Sequence, residues 1–307
     1  MPWLYDRIGG GYTTTRHPDP RIAAAIRDAL GDARTVLNVG AGAGAYEPTD
    51  REVVALEPSE VMIAQRPHGA APVVRGRAEE LPFEDGEFDA VMAVLSDHHW
   101  TDRRRGFAEL RRVARHRVVV FNANPGEADL FWLTTEYLPE FLELIRPRFR
   151  RRDAWADELR SVLGTVDLVP VPVPHDCTDG FYGAFWRRPG AYLDPDVRAG
   201  ISVFAQVPSA AADRAIGALR ADLETGRWHQ RHRALLELSE LDLGYYVIVA
   251  EPSEQEEVHE GDWSGLAAHR HAFAEGGSGD AGVRPLLPHG ERPHQPAADR
   301  AMGGGDR

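Results

Sequence analysis

The sequence predicts a doubly wound α/β sheet, and three stretches carry that prediction. Thr35 to Pro48, TVLNVGAGAGAYEP, runs from an apolar strand into glycines at 40, 42 and 44. This is the form of a buried parallel strand turning tightly into a nucleotide-cofactor loop. A second apolar run, EVVALE, ends in the acid Glu57. A third, Phe88 to Leu95, is almost continuously apolar and ends in Ser96, Asp97, His98, His99 and Trp100. Near-continuous apolar strands are those buried on both faces. In open parallel sheets the ligand lies beyond the carboxyl ends of the strands, where the glycines, Glu57 and the 96–100 tip all fall.

Taken in order, residues 1–34 precede the first strand and carry Tyr5, Ile8, Tyr12 and Arg16. Asp19-Pro20 opens a helix, with Pro20 in the first turn, and Gly31 stops it. The strand ending in Glu57 is followed by VMIAQR, a helix start capped by Ser59. Pro72 to Val74 is a short third strand, Arg103 to Ala114 a helix and Arg117 to Phe121 the fifth strand. Segment 126–160 reads as helical and unusually aromatic, with Phe131, Trp132, Tyr137, Phe141, Phe149 and Trp155. VDLVPVPVP, 166–174, can form only an edge or bulged strand, because its prolines donate nothing to a ladder. Helices are expected over about 195–206 and 209–223, and YYVIVAE, 245–251, is the last strand. The rest, rich in Gly, Pro, His and acids, reads as a disordered tail. The expected organisation is a cap region over 1–34, a cofactor-binding core over 35–125, a mostly helical lid over 126–240, a last core strand over 241–251 and the tail over 252–307.

Composition narrows the function. The chain has 307 residues, 43% of them apolar, and a net charge of −13 with no lysine at all. That balance disfavours binding to nucleic-acid backbones and favours a small-molecule partner. No apolar run approaches the length of a membrane span, and MPWLYDRIGG lacks the regions of a signal peptide, so a cytoplasmic location with no membrane partner is expected. A single cysteine, Cys177, excludes an internal disulfide framework and a cysteine-built metal site, and it is expected to be a buried small apolar residue. No metal site is expected.

The glycine loop alone also satisfies a dinucleotide pattern through Gly40, Gly42 and Ala45. The full series is more specific: GAGAG, Glu57, AEELPF, FDAVMAVL and the HHW tip. It resembles the class I S-adenosylmethionine-dependent methyltransferases, in particular the small-molecule branch of the ubiquinone and menaquinone methyltransferases. The resemblance covers residues 1–125 and, more loosely, the last strand. It implies a Rossmann-like methyltransferase sheet with S-adenosyl-L-methionine as cofactor. Gly40, Gly42 and Gly44 then pass under the methionine portion, Glu57 holds the ribose hydroxyls with Pro58 beside it at the cofactor, and Ala78 and Glu79 read the adenine edge. Leu95 and Ser96 lie beside the amino group, and Tyr12 and Arg16 close over the methionine end, where an arginine can pair with the carboxylate. Two positions depart from the family pattern: Asn38 stands where an acid is common, and Arg77 where an aspartate is.

His98 and His99 are the candidates for chemistry, since a histidine can take a proton from a hydroxyl or amine attacking the methyl group. Each can instead simply pack at the strand end. Asp97 is a candidate to orient one of them. Most lid aromatics are expected to be core, with some lining a pocket for a bulky or aromatic acceptor. A protein of the same fold that binds the cofactor without transferring methyl, as a cyclase or regulator, is the alternative. An NAD-dependent dehydrogenase is disfavoured by AEELPF and FDAV. The arginine-only, alanine-rich composition points to a GC-rich bacterial genome and to specialised-metabolite biosynthesis.

Overall fold

A computed structural model of the chain describes residues 3–251, and the tail expected over 252–307 lies outside the described residues. A short helix α1 (Leu4–Ile8) leads to α2 (Pro20–Ala29). The Asp19 carboxylate accepts from the Arg21 N–H and so caps α2, while Ile22 and Ile26 turn its apolar stripe to the core. Then follow β1 (Thr35–Val39), β2 (Glu52–Glu57), α3 (Glu60–Ile63), β3 (Val73–Arg75), β4 (Phe88–Val94), α4 (Arg103–Val113) and β5 (Ala114–Ala123). Ser59 caps α3 by accepting from the Met62 N–H, and Asp102 caps α4 by accepting from Arg105. Strand five is longer than its apolar run, since Arg115, His116 and Arg117 extend it at the far end of the sheet from the site.

The second half contributes α5 (Glu140–Ile145), α6 (Arg152–Leu163), β6 (Thr165–Pro170), β7 (Val173–Pro174), α7 (Pro195–Ala199), α8 (Ser202–Gln206), α9 (Ser209–Glu224), α10 (Arg227–Arg231), β8 (Glu240–Leu241) and β9 (Tyr245–Glu251). The region from 125 to 148 is largely short 3-10 and π turns around α5. The main sheet has seven strands in the order β3-β2-β1-β4-β5-β9-β6. The first five are parallel, and β9 runs antiparallel between β5 and β6. The fold is therefore the expected α/β sheet, with the order reversing between β1 and β4.

Within the stretch read as lid, residues 152–170 belong to the sheet layer. β6 is its outer strand, and Pro170 sits at the end of the paired run, opposite Tyr246. Val173 and Pro174 leave the sheet and pair with β8, so the proline-rich segment is split in two. α6 packs Trp155, Leu159 and Leu163 against the same core as Phe107 and Leu110 of α4.

Alternation along the strands divides the core into two faces. Val36, Ala90, Met92, Val119 and Phe121 share one with α2 and the lid aromatics, and Leu37, Val91, Val118 and Val120 share the other with α4 and α6. Among the aromatics, Trp132, Trp186 and Tyr192 are fully buried. The Trp132 indole donates to the Trp186 carbonyl at 2.8 Å, the Trp186 indole to Val173 at 2.9 Å, and the Tyr192 hydroxyl to Tyr182 at 2.6 Å. Their polar atoms are thus satisfied inside an apolar cluster. Cys177 is buried, and burial pushes its thiol up to about 12, as expected of an inert core cysteine.

Candidate functional site

The carboxyl ends of β1 and β4 lie side by side where the strand order reverses, and the site begins there. Gly40 has φ +69°, and a Cβ at this position would lie 2.6 Å from the Ser96 Cβ, so only glycine lets the two strand ends close. The Ser96 hydroxyl donates to the Val39 carbonyl at 3.0 Å and ties the two ends together. Leu95 sits at φ +49°, a conformation that costs a non-glycine residue about 1–2 kcal/mol. Its N–H is held by Phe121 at 2.8 Å. Glu57 is 5% exposed and accepts from the Gly42 N–H at 2.8 Å and the Ser59 N–H at 2.9 Å. Burial raises its carboxyl pKa, opposed by those two backbone bonds. The acid thus joins the glycine loop to the start of α3.

The N-terminal segment covers this floor. The Ser59 hydroxyl donates to Asp6 at 2.7 Å, and the Gln65 amide donates to the Gly9 carbonyl at 2.7 Å, docking α1 on α3. Tyr5 and Tyr12 meet edge to face at 5.5 Å, and the Arg16 guanidinium lies 4.8 Å above the Tyr12 ring. Arg16 does not reach out for a ligand carboxylate, as the resemblance implied. It is bound to Asp179 at 2.6 Å and 3.3 Å, with the two side chains 7% and 2% exposed. Tyr46, at the end of the glycine loop, donates its hydroxyl to the same carboxylate at 2.9 Å.

His98 and His99 form a 3-10 turn after β4, with ring centroids 3.9 Å apart. Asp97 does not orient either ring directly. It is paired with Arg103 at 2.7 Å and accepts from the Asn122 amide. Asn122 has its oxygen fixed by the Ala123 N–H at 2.8 Å, so its NH2 group points at Asp97 and at His98 Nδ1, 3.4 Å away. His98 Nδ1 is then an acceptor, and the ring proton sits on Nε2. Both residues are partly buried and line the cavity. Desolvation, with Arg148, Arg103 and Arg16 nearby, lowers the His98 pKa from 6.5 to about 3. Burial and His98 itself lower that of His99 well below 6.5.

This has a measurable consequence. Between pH 6.5 and about 3 the unfolded chain binds a proton at residue 98 that the folded chain does not. Stability therefore falls as pH drops through that window, by up to about 1.4 kcal/mol per pH unit for this ring. Unfolding free energies from urea titrations at several values in that range are expected to show a shallower acid loss in His98→Asn than in the parent. Equal slopes would contradict a neutral ring.

These residues enclose a cavity of about 360 Å³ lined by Tyr12, Arg16, Asn38, Gly40, Gly42, Glu57, Pro58, Ala78, Glu79, Leu95, Ser96, His98 and His99. Gly44 is not in the lining. Its φ is +91°, and a Cβ there would press at 3.3 Å on the Arg66–Glu47 ion pair, so it serves the turn and not the cavity. Glu79 has one carboxylate oxygen engaged by the Thr101 and Asp102 N–H groups at 2.7 and 3.2 Å. A second cavity of about 150 Å³ adjoins the first under the lid, lined by Phe131, Phe141, Phe181, Tyr182 and Tyr245 among others. Tyr5, Arg16, Leu95, His98 and Gln206 line both. Sequence reasoning gave no role to Tyr5, Tyr46, Asn122, Arg148 or Asp179. Asn122 was findable, since it is polar and ends the apolar run of strand five. Asp179 was not, because nothing local links it to Arg16.

Such a sheet, with a glycine loop at the point of strand reversal and an acid at the next strand end, defines a nucleotide-cofactor-binding protein of the doubly wound class. Residues 37–121 match the methyltransferase domain family. A solved structure of a putative methyltransferase from an antibiotic biosynthesis pathway of Anabaena variabilis is 33% identical, with a TM-score of 0.70 over 77% of this chain and 98% of that one. Uncharacterized methyltransferases of Mycobacterium tuberculosis and Mycobacterium bovis are 31% identical over 155 residues, 46% of this chain and 54% of theirs. The match thus spans about half the length of those curated relatives. The chain belongs to the class I S-adenosylmethionine-dependent methyltransferases.

The cavity fits the cofactor that this family implies. Asn38 Oδ1 is buried and lacks a hydrogen-bond partner, leaving an acceptor for a ligand donor. Gly40 leaves backbone open to the cavity, and Glu57 has lone pairs beyond the two its amides use. Among the described residues no cluster of His, Cys, Asp or Glu is placed to hold a metal ion, and no helix is long and apolar enough to cross a membrane.

Proposed function

We propose that this chain transfers the methyl group of S-adenosylmethionine to a small-molecule acceptor of specialised metabolism. We place it in the small-molecule branch that includes the ubiquinone and menaquinone methyltransferases. The observation that carries the proposal is the pair of adjoining cavities sharing a wall of Tyr5, Arg16, Leu95, His98 and Gln206. One side has the glycine loop and Glu57; the other has aromatic walls suited to a bulky or aromatic molecule. The antibiotic-pathway relative supports the choice of specialised metabolism.

When bound, S-adenosylmethionine supplies an electrophilic methyl carbon. Glu57 would accept from the ribose hydroxyls, Asn38 from the amino group, and Ala78 would border the adenine. Tyr5, Tyr12 and α1 exclude water from above. Holding the acceptor atom in line with the methyl carbon supplies much of the rate without an obligatory base. A His98 ring with a pKa near 3 is a weak base, and, lining both cavities, its Nε2–H would serve as a hydrogen-bond donor to an acceptor oxygen sooner than as a base.

The test has two stages. Calorimetry with S-adenosylmethionine, S-adenosylhomocysteine and NAD is expected to show binding of the first two only. Mass spectrometry of incubations with aromatic and polyketide acceptors is expected to show S-adenosylhomocysteine and a product heavier by one methylene. Binding of NAD alone overturns the reading. Conversion of an acceptor without S-adenosylhomocysteine release identifies a protein that binds the cofactor but does not transfer methyl.

A further inference from the structure

The second cavity is lined mainly by apolar and aromatic side chains, and its charged lining among the described residues is three arginines, Arg16, Arg103 and Arg148, with no acidic residue. Arg148, in the turn after α5, donates to the His98 carbonyl at 2.7 Å and forms no ion pair among the described residues. Arg103 lines the same cavity, but its charge is answered by Asp97, whose remaining oxygen takes the Asn122 amide. Arg16 is likewise matched by Asp179. Three guanidiniums thus border the cavity; Asp179 is committed to Arg16, Asp97 to Arg103 and Asn122, and Glu158 lies 4.0 Å from Arg103. Arg148 is half-buried beside Arg103; desolvation and that like charge lower its pKa, and the nearby Asp97 offsets them only in part.

We propose that Arg148 is the anchor for a carboxylate on the acceptor, so that the substrate is an apolar acid. Its body lies among Phe131, Phe141, Phe181 and Tyr182, and its carboxylate accepts from the Arg148 guanidinium. A guanidinium presents a planar fork that matches a carboxylate with two parallel bonds. Because Arg148 also holds the His98 carbonyl, the acid end is fixed relative to the wall shared with the cofactor cavity. This inference rests on assigning the second cavity to the acceptor, and it adds the acceptor's charge.

The experiment titrates the full chain at neutral pH with 4-phenylbutanoate and with its uncharged amide, by ligand-observed NMR, with and without S-adenosylhomocysteine. The acid is expected to bind at least about tenfold more tightly than the amide. Arg148→Gln is expected to abolish that preference and Arg148→Lys to restore part of it, while affinity for S-adenosylhomocysteine stays within about threefold, a shift of well under 1 kcal/mol. The last readout separates loss of the anchor from collapse of the 96–100 turn. Equal affinity for acid and amide, no binding of either at millimolar concentration, or a preference that survives Arg148→Gln overturns the proposal. Failure of S-adenosylhomocysteine to bind counts against methyl transfer instead, because the preference for acid over amide is read in its absence too.

Discussion

Replacing Glu57 with alanine is expected to weaken S-adenosylhomocysteine binding by at least about a hundredfold, since two hydrogen bonds to a charged group contribute about 1.5–3 kcal/mol each. The effect exceeds the loss of the proposed ribose contact. The same carboxylate accepts from the Gly42 and Ser59 N–H groups, so its removal also leaves two loop amides without their partner. Glu57→Gln is not a gentle control. One of its terminal atoms becomes an NH2 group facing an N–H donor, and the variant is expected to bind nearly as poorly as alanine. Calorimetry on the three proteins checks this, and a glutamine variant with parent-like affinity would show that the charge and one of the two acceptors are dispensable.

The second large effect concerns stability. Asp179→Ala leaves the Arg16 guanidinium enclosed without its acid and removes the acceptor of the Tyr46 hydroxyl and the Gly180 N–H. Breaking a buried pair from one side costs about 3–5 kcal/mol. For a protein of this size that is a fall of about 6–20 °C in melting temperature. The double variant Arg16→Ala, Asp179→Ala is expected to be no less stable than Asp179→Ala alone, because it removes the stranded charge. Scanning calorimetry decides the matter, and an Asp179→Ala protein within 1 °C of the parent would remove the pair from any structural role.

The sheet and the floor of the site were legible because their signals are local. Val36 to Val39 leading into Gly40, and Phe88 to Val94 leading into Ser96, announce buried strands that end at a ligand. Asp19, Ser59 and Asp102 cap helices through their own neighbours. What the sequence concealed depends on distance. Arg16 and Asp179 are 163 positions apart, and neither is marked by its surroundings. Asp97 precedes two histidines, which invites a triad reading, yet Arg103, six residues onward at the start of α4, takes its charge. The proline-rich segment 166–174 was read as an edge or bulged strand. It divides because Pro170 ends the run paired with β9, and Val173 then turns to Leu241. The depressed basicity of His98 and His99 comes from enclosure and surrounding arginines, which no motif encodes.

The position of β9 bears on how the molecule is made. The last described strand lies between β5 and β6 and carries hydrogen bonds on both sides. A chain emerging from the ribosome can assemble the five parallel strands once residue 123 is out, but β6 has no partner in the sheet until residues 245–251 arrive. Through that interval the outer half of the sheet offers an unpaired β5 edge, the kind of surface on which nascent chains associate. Val247 and Ile248 seal it, so residues 245–251 complete the sheet and supply Tyr245 to the wall of the second cavity.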